Sequence, residues 1–135
     1  MRDNAGTAAV EFSIVLPIYV LILYIIVTLS INLAIYIGTK QLTAEAARAA
    51  LAGLSTQERD QLARNFITAH IKTYSYIYSY KMRITTTEAG APDNIFTVSI
   101  DYNIENPVID KLKLMFAPGA PETLHCSSAI QYNGA

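Results

Sequence analysis

Between Glu11 and Lys40 no residue carries a charge, so positions 12–39 form an uninterrupted run of about 28 uncharged, mostly apolar residues. A bilayer core needs roughly 20 helical residues, and the run predicts a transmembrane helix over about 12–39. The chain continues with TKQLTAEAARAALAGL, rich in strong helix formers, so one helix is expected from Thr7 to about Leu54. About 47 residues at 1.5 Å each make roughly 70 Å, against a hydrocarbon core of about 30 Å. More than half of the helix would stand outside lipid.

Gly53 suits a helix C-terminus, and Ser55 with Glu58 three positions on fits a capping box for a second helix over about 56–73. In that helix Leu62, Phe66 and Ala69 recur at helical spacing, with Arg59, Asp60 and Arg64 among the polar positions. The next segment, YSYIYSYKMRITTTE, places Tyr74, Tyr76, Tyr78, Tyr80, Met82 and Ile84 at every second position, a strand signal, and the pattern leaves open where within Tyr74–Tyr80 the helix stops and the strand starts. Turn chemistry in AGAPDN then leads into IFTVSIDYNIE, with Phe96, Val98, Ile100, Tyr102 and Ile104 on one face, and the two runs predict an antiparallel hairpin. A short helix and a loop in NPVIDKLKLMFAPGAPE precede TLHCSSAIQY, which supplies a third strand. The expected fold class is α+β: a long N-terminal helix, a second helix, then a small three-stranded antiparallel sheet that the helix before it covers.

Composition narrows the function. The chain has 135 residues, of which 52% are hydrophobic and 16% charged, and a formal net charge of −1. That balance offers no clustered basic excess for nucleic acid. A lone Cys126 excludes an intrachain disulfide framework. A cleaved secretory signal is the competing reading of the apolar run, with TAEAARAA (Thr43–Ala50) as its cleavage region. Signal cores span roughly 7 to 15 residues, however, and this run is about twice that, with Lys40 before the supposed site.

Candidate chemistry is sparse. His125 and Cys126 are adjacent, so on a strand they point to opposite faces and do not share a site. Glu88, Asp93, Asp101 and Glu105 lack calcium-loop spacing, and no phosphate-cradling glycine motif occurs. No catalytic residue, metal site or cofactor is expected. Ser30, Ala34 and Gly38, continued by Ala46 and Ala50, form a small-xxx-small row that favours close helix packing. The tyrosines from Tyr74 to Tyr80 could dock a partner if exposed and are core if a helix covers them, and core is the favoured reading.

The amino-terminal stretch GTAAVEFSIVLP closely resembles the signature of TadE-like minor pilins, or pseudopilins, of the tight-adherence (Tad/Flp) branch of type IV pili. The family pattern is a Gly, four small or apolar residues, Glu, an aromatic residue, an apolar run and a Pro. Gly6, Glu11, Phe12 and Pro17 match it in order. The resemblance implies cutting between Gly6 and Thr7 by a prepilin peptidase on the cytoplasmic face. Residues 1–6 would then be the leader, 7–54 the long helix and 55–135 an extracytoplasmic α+β domain. Family leaders are often more basic than this one, which sets Arg2 against Asp3. Lys40 and Arg48 lie just beyond the span, and the positive-inside count slightly favours the opposite orientation. The extracytoplasmic placement therefore comes from the resemblance.

The implied role is a minor pilin in the bacterial inner membrane, also entering the pilus, with no enzyme activity. Its implied partners are the prepilin peptidase, the major Flp pilin, a second minor pilin, the inner-membrane Tad assembly platform and membrane lipid. Glu11 with Phe12 would set register: cutting before Thr7 frees a cationic amine beside unpaired helix N–H groups, which a neighbour's carboxylate can accept. Pro17 lacks an N–H and frees the Ser13 carbonyl, loosening or kinking the helix. A single-span sensor or binding module, unprocessed, is the alternative; a membrane-tethered enzyme would need a cleft of convergent polar groups that the sequence does not advertise.

Overall fold

The computed structural model describes residues 4–90, 92–105, 107–116, 119 and 123–132. The element order is α1 (Asn4–Ala50), α2 (Thr56–His70), β1 (Met82–Ala89), β2 (Ile95–Asn103), α3 (Pro107–Phe116) and β3 (Thr123–Gln131). The chain divides into two compact units, 1–33 and 34–135.

The first unit is helical, and its apolar side chains from Val10 to Leu33 are largely exposed. Over Gly6–Ala50 the helix is long and apolar enough to cross a membrane. Its hydroxyl and amide groups turn back on their own helix: Ser13 Oγ donates to the Val10 carbonyl and Ser30 Oγ to that of Ile26, each at 2.8 Å, and Asn32 Nδ2 to that of Thr28 at 2.7 Å. Such bonds satisfy polar groups internally, which a lipid environment demands.

In the second unit, the last turns of α1 and the buried face of α2 cover one face of the sheet. Leu42, Ala46, Ala47 and Ala50 of α1 pack with Ala63 and Ile67 of α2 and with Phe96, Val98 and Ile100 of β2. The sheet order is β1-β2-β3, antiparallel throughout, with Ile84 opposite Ile100 and Ile100 opposite Cys126. β2 alternates buried and half-buried positions, as its sequence predicts. Thr43, Ala46, Ala47 and Ala50 are buried, so the supposed cleavage region contributes four residues to the packed interior.

Three local expectations change. α1 ends at Ala50, not near Leu54, and Gly53 owes its place to crowding: a Cβ there would stand 2.8 Å from the Arg59 backbone nitrogen. α2 buries Arg59, Ala63 and Ile67, with Leu62 and Phe66 half-buried and Ala69 exposed. That face lies one residue from the expected one, because Arg59 finds a partner, Glu88, that makes its burial tolerable. The tyrosine alternation is not a strand either. Residues 71–73 and 79–81 form single 3₁₀ turns, and β1 begins only at Met82.

The cap of α2 is close to the sequence pattern. The Glu58 N–H donates to Ser55 Oγ at 3.2 Å, and Glu58 Oε2 accepts from the Leu54 N–H at 2.9 Å, one residue earlier than a standard capping box.

Candidate functional site

The motif residues lie on the first turns of α1. Gly6, Thr7, Glu11, Phe12 and Pro17 are all exposed, and Phe12 is 64% exposed. Helical geometry sets Thr7 and Glu11 one turn apart on the same side, about 6 Å along the axis. Among the described residues Glu11 forms no ion pair. A Cβ on Gly6 would meet nothing within 4 Å. Gly6 is thus not required by packing within the chain. Residues 1–3 of the expected leader lie outside the described residues, and the helix already includes Asn4. α1 runs through Pro17 without a break.

The small-residue row divides into distinct surroundings. Ser30 is exposed, Ala34 is half-buried, and Gly38 is buried within the second unit. A Cβ on Gly38 would lie 3.0 Å from Ile77 Cδ1, 3.1 Å from Tyr76 Oη and 3.2 Å from Tyr74 Cδ1. Ala46 and Ala50 are fully buried. From Gly38 onward the row packs against the chain's own loop, second helix and sheet, whereas Ser30 is exposed and Ala34 only partly covered.

The tyrosines also divide. Tyr74 is half-buried, and burial pushes its hydroxyl pKa up, helped by Glu45 and Tyr76. Tyr76, Tyr78 and Tyr80 are exposed by 38%, 52% and 77%. Only Tyr74 packs against the core, because residues 74–80 do not form a pleated strand that would set all four rings on one face; Tyr76 lays its hydroxyl near Gly38, and Tyr78 and Tyr80 are the most exposed.

One polar cluster escaped the sequence. Arg59 Nη1 donates to Glu88 Oε1 at 2.7 Å, Tyr132 Oη donates to the same oxygen, and the guanidinium carbon sits 3.7 Å from the Tyr132 ring centroid. The Thr56 hydroxyl, followed by that of Tyr132, holds the Glu88 carboxyl below its ordinary pKa against the opposing effect of burial, and Arg59 adds to the lowering. Tyr132 is pushed up, first by its bond to Glu88. The cluster joins α2, β1 and the end of β3, a structural clamp. Only the helical spacing of Arg59 with Ala63 and Ile67 signalled it, and a charge at such a position reads as exposed.

His125 and Cys126 do face opposite sides. Cys126 is 4% exposed and burial raises its thiol pKa, whereas His125 is exposed with Nδ1 2.5 Å from Asp101 Oδ1. Among the described residues no three His, Cys, Asp or Glu side chains gather as metal ligands. A cavity of about 240 Å³ lies between α2 and β1, lined by Ile67, Ile71, Met82 and Ile84 with Thr68, Lys72 and Ser79.

Comparison with known proteins places the strongest signal on α1. Residues 6–50 match the family described as TadE-like protein, from Gly6 of the motif to the last residue of the helix. No curated protein and no solved structure matches the chain.

Proposed function

We propose that this chain, TadE-like over residues 6–50, is a minor pilin of a Tad/Flp pilus, a structural subunit and not a catalyst. A prepilin peptidase removes residues 1–6, and Thr7 becomes the mature amino terminus. α1 holds the protein in the inner membrane with the α+β domain outside the cytoplasm, and the subunit passes from there into pilus initiation or the pilus tip. Its partners are the major Flp pilin, a second minor pilin and the membrane assembly platform. The size of the domain supports a minor role: the second unit, 34–135, is a folded body with its own core.

The observation that carries this reading is Glu11, exposed on a continuous apolar helix with no ion-pair partner among the described residues. An ionised carboxylate near a membrane edge carries a cost, up to about 2.5–3.5 kcal/mol at the bilayer centre on insertion scales. The α-amine freed at Thr7 of a neighbouring subunit is a cation of matching position, and pairing turns that cost into a preference for the assembled state. Glu11→Gln keeps the shape and removes the charge. The variant should still be trimmed by the peptidase but lose co-isolation with partner pilins; co-isolation equal to the wild type would refute the register role.

A further inference from the structure

The loop between α2 and β1 meets α1 where the uncharged run ends. Ile77 is 6% exposed and packs with Ile35 of α1 and Tyr102 of β2. The Tyr78 N–H donates to Tyr102 Oη at 3.3 Å, and the Ile77 N–H donates to the Tyr74 carbonyl at 2.9 Å. The contacts over Gly38 complete the attachment, so this loop is pinned to positions 35–38 of the helix.

Those positions have a defined depth. Counting along the sequence, residues 12–34 are about 23 residues, or roughly 34 Å of helix, which already covers a hydrocarbon core of about 30 Å. Adding 35–39 brings the run to roughly 42 Å, the thickness of a bilayer with its headgroup layers. A helix that crosses with its whole uncharged run in the membrane therefore carries positions 35–39, and the loop pinned to them, at headgroup level.

The loop's chemistry suits that depth. Tyr78 and Tyr80 are 52% and 77% exposed, with their rings 5.6 Å apart, while Tyr76 is 38% exposed and keeps its hydroxyl against α1 at Gly38. Lys40 and Lys72 are exposed nearby in sequence, Lys40 lying 5.8 Å from the Tyr36 ring. Lys81 lies 6.0 Å from the Tyr80 ring, while Glu105 answers it at 3.5 Å. Tyrosine has an apolar ring and a polar tip, a combination enriched at membrane interfaces, and lysine reaches toward headgroup phosphates along an apolar stem.

We propose that the Tyr74–Lys81 loop is a membrane-interface anchor. Tyr78 and Tyr80 insert among lipid headgroups, Tyr76 holds the loop against α1, Lys40 and Lys72 lie beside the headgroup phosphates, and the loop sets the depth at which the domain rests on the bilayer. The proposal rests on α1 crossing the membrane and is independent of peptidase cutting.

The chain has no tryptophan, so one introduced indole reports its own surroundings. Tyr80→Trp, Tyr24→Trp and Gln131→Trp full-length proteins are reconstituted into phosphatidylethanolamine and phosphatidylglycerol vesicles, with or without bromine high on the acyl chains. Tyr24→Trp, inside the uncharged run, reports insertion, and Gln131→Trp, exposed at the end of β3, reports water. The emission of Tyr80→Trp should fall by about half in brominated vesicles and resist aqueous iodide, as for an interfacial aromatic, while Gln131→Trp does the reverse. Quenching of Tyr24→Trp by brominated lipid, with Tyr80→Trp open to iodide alone, would overturn the anchor and leave the tyrosines to a protein partner. Loss of lipid quenching at both positions would overturn the membrane span and the anchor together.

Discussion

The guanidinium of Arg59 on α2 donates to the Glu88 carboxylate on β1 at 2.7 Å, with only 10% and 12% of the two side chains exposed. The pair ties helix to sheet edge and sits under the Tyr132 ring. Removing one partner strands a poorly solvated charge, whereas replacing both by apolar groups removes the problem as well as the bond. Glu88→Leu and Arg59→Met should each lower the domain's unfolding free energy by about 1–3 kcal/mol. The double variant should lose less than the sum. Thermal and denaturant unfolding of all four proteins in the same detergent measures the coupling, and strict additivity would count against the clamp.

The same cluster sets a pH dependence with a definite sign. The Glu88 carboxyl is held below its ordinary pKa, so its contribution is complete above the unfolded-state value and is lost as pH falls through the lower folded-state value. Tyr132 is pushed above its ordinary value, so its contribution is complete below the unfolded-state value and is lost as pH rises through the folded-state one. Unfolding midpoints across pH should therefore decline on an acid limb that Glu88→Gln diminishes and on an alkaline limb that Tyr132→Phe diminishes.

Two glycines separate helix propensity from packing. At Gly38 an added methyl meets only side-chain atoms, the tips of Ile77 and Tyr76 and a ring carbon of Tyr74, at 3.0–3.2 Å, so relief takes shifts of a few tenths of an ångström with no backbone in the way. A Gly to Ala change within a helix also gains roughly 0.5–1 kcal/mol. At Gly53 the methyl meets the Arg59 backbone nitrogen at 2.8 Å and its Cα at 3.1 Å, and backbone does not yield so cheaply. Gly38→Ala should be within about 1 kcal/mol of the wild type, and Gly53→Ala should cost about 1–3 kcal/mol. Parallel thermal melts compare them; equal losses would contradict the packing argument.

Cys126 stands opposite Ile100 on the covered sheet face, and burial raises its thiol pKa. The thiolate is the reactive form. Maleimide should label the folded protein many times more slowly than the denatured one, and rapid labelling of both would mean that the covered face opens readily.

Much of this architecture was legible in the chain because its periods are long and clean. The alternation from Phe96 to Tyr102 has a single reading, and the length of the uncharged run before Lys40 decides between its two. Tyr74–Tyr80 was not so legible, since period-two tyrosines satisfy a strand pattern while Ile77, the one position in their midst that the chain buries, follows contact with Ile35 and Tyr102 instead. Arg59 was illegible for a related reason: its partner, Glu88, is 29 residues away and meets it only after β1 is placed. At the amino terminus Gly6, Glu11 and Pro17 were readable as a motif, whereas their lack of packing is a property of the folded chain.

The central claim is that the chain is a processed pilin, and the direct measurement is its intact mass, isolated from host cells with and without their prepilin peptidase. The account predicts a chain beginning at Thr7 when the peptidase is present and one retaining residues 1–6 when it is absent. A chain beginning at Met1 in both would contradict it and leave an anchored domain outside the pilin pathway.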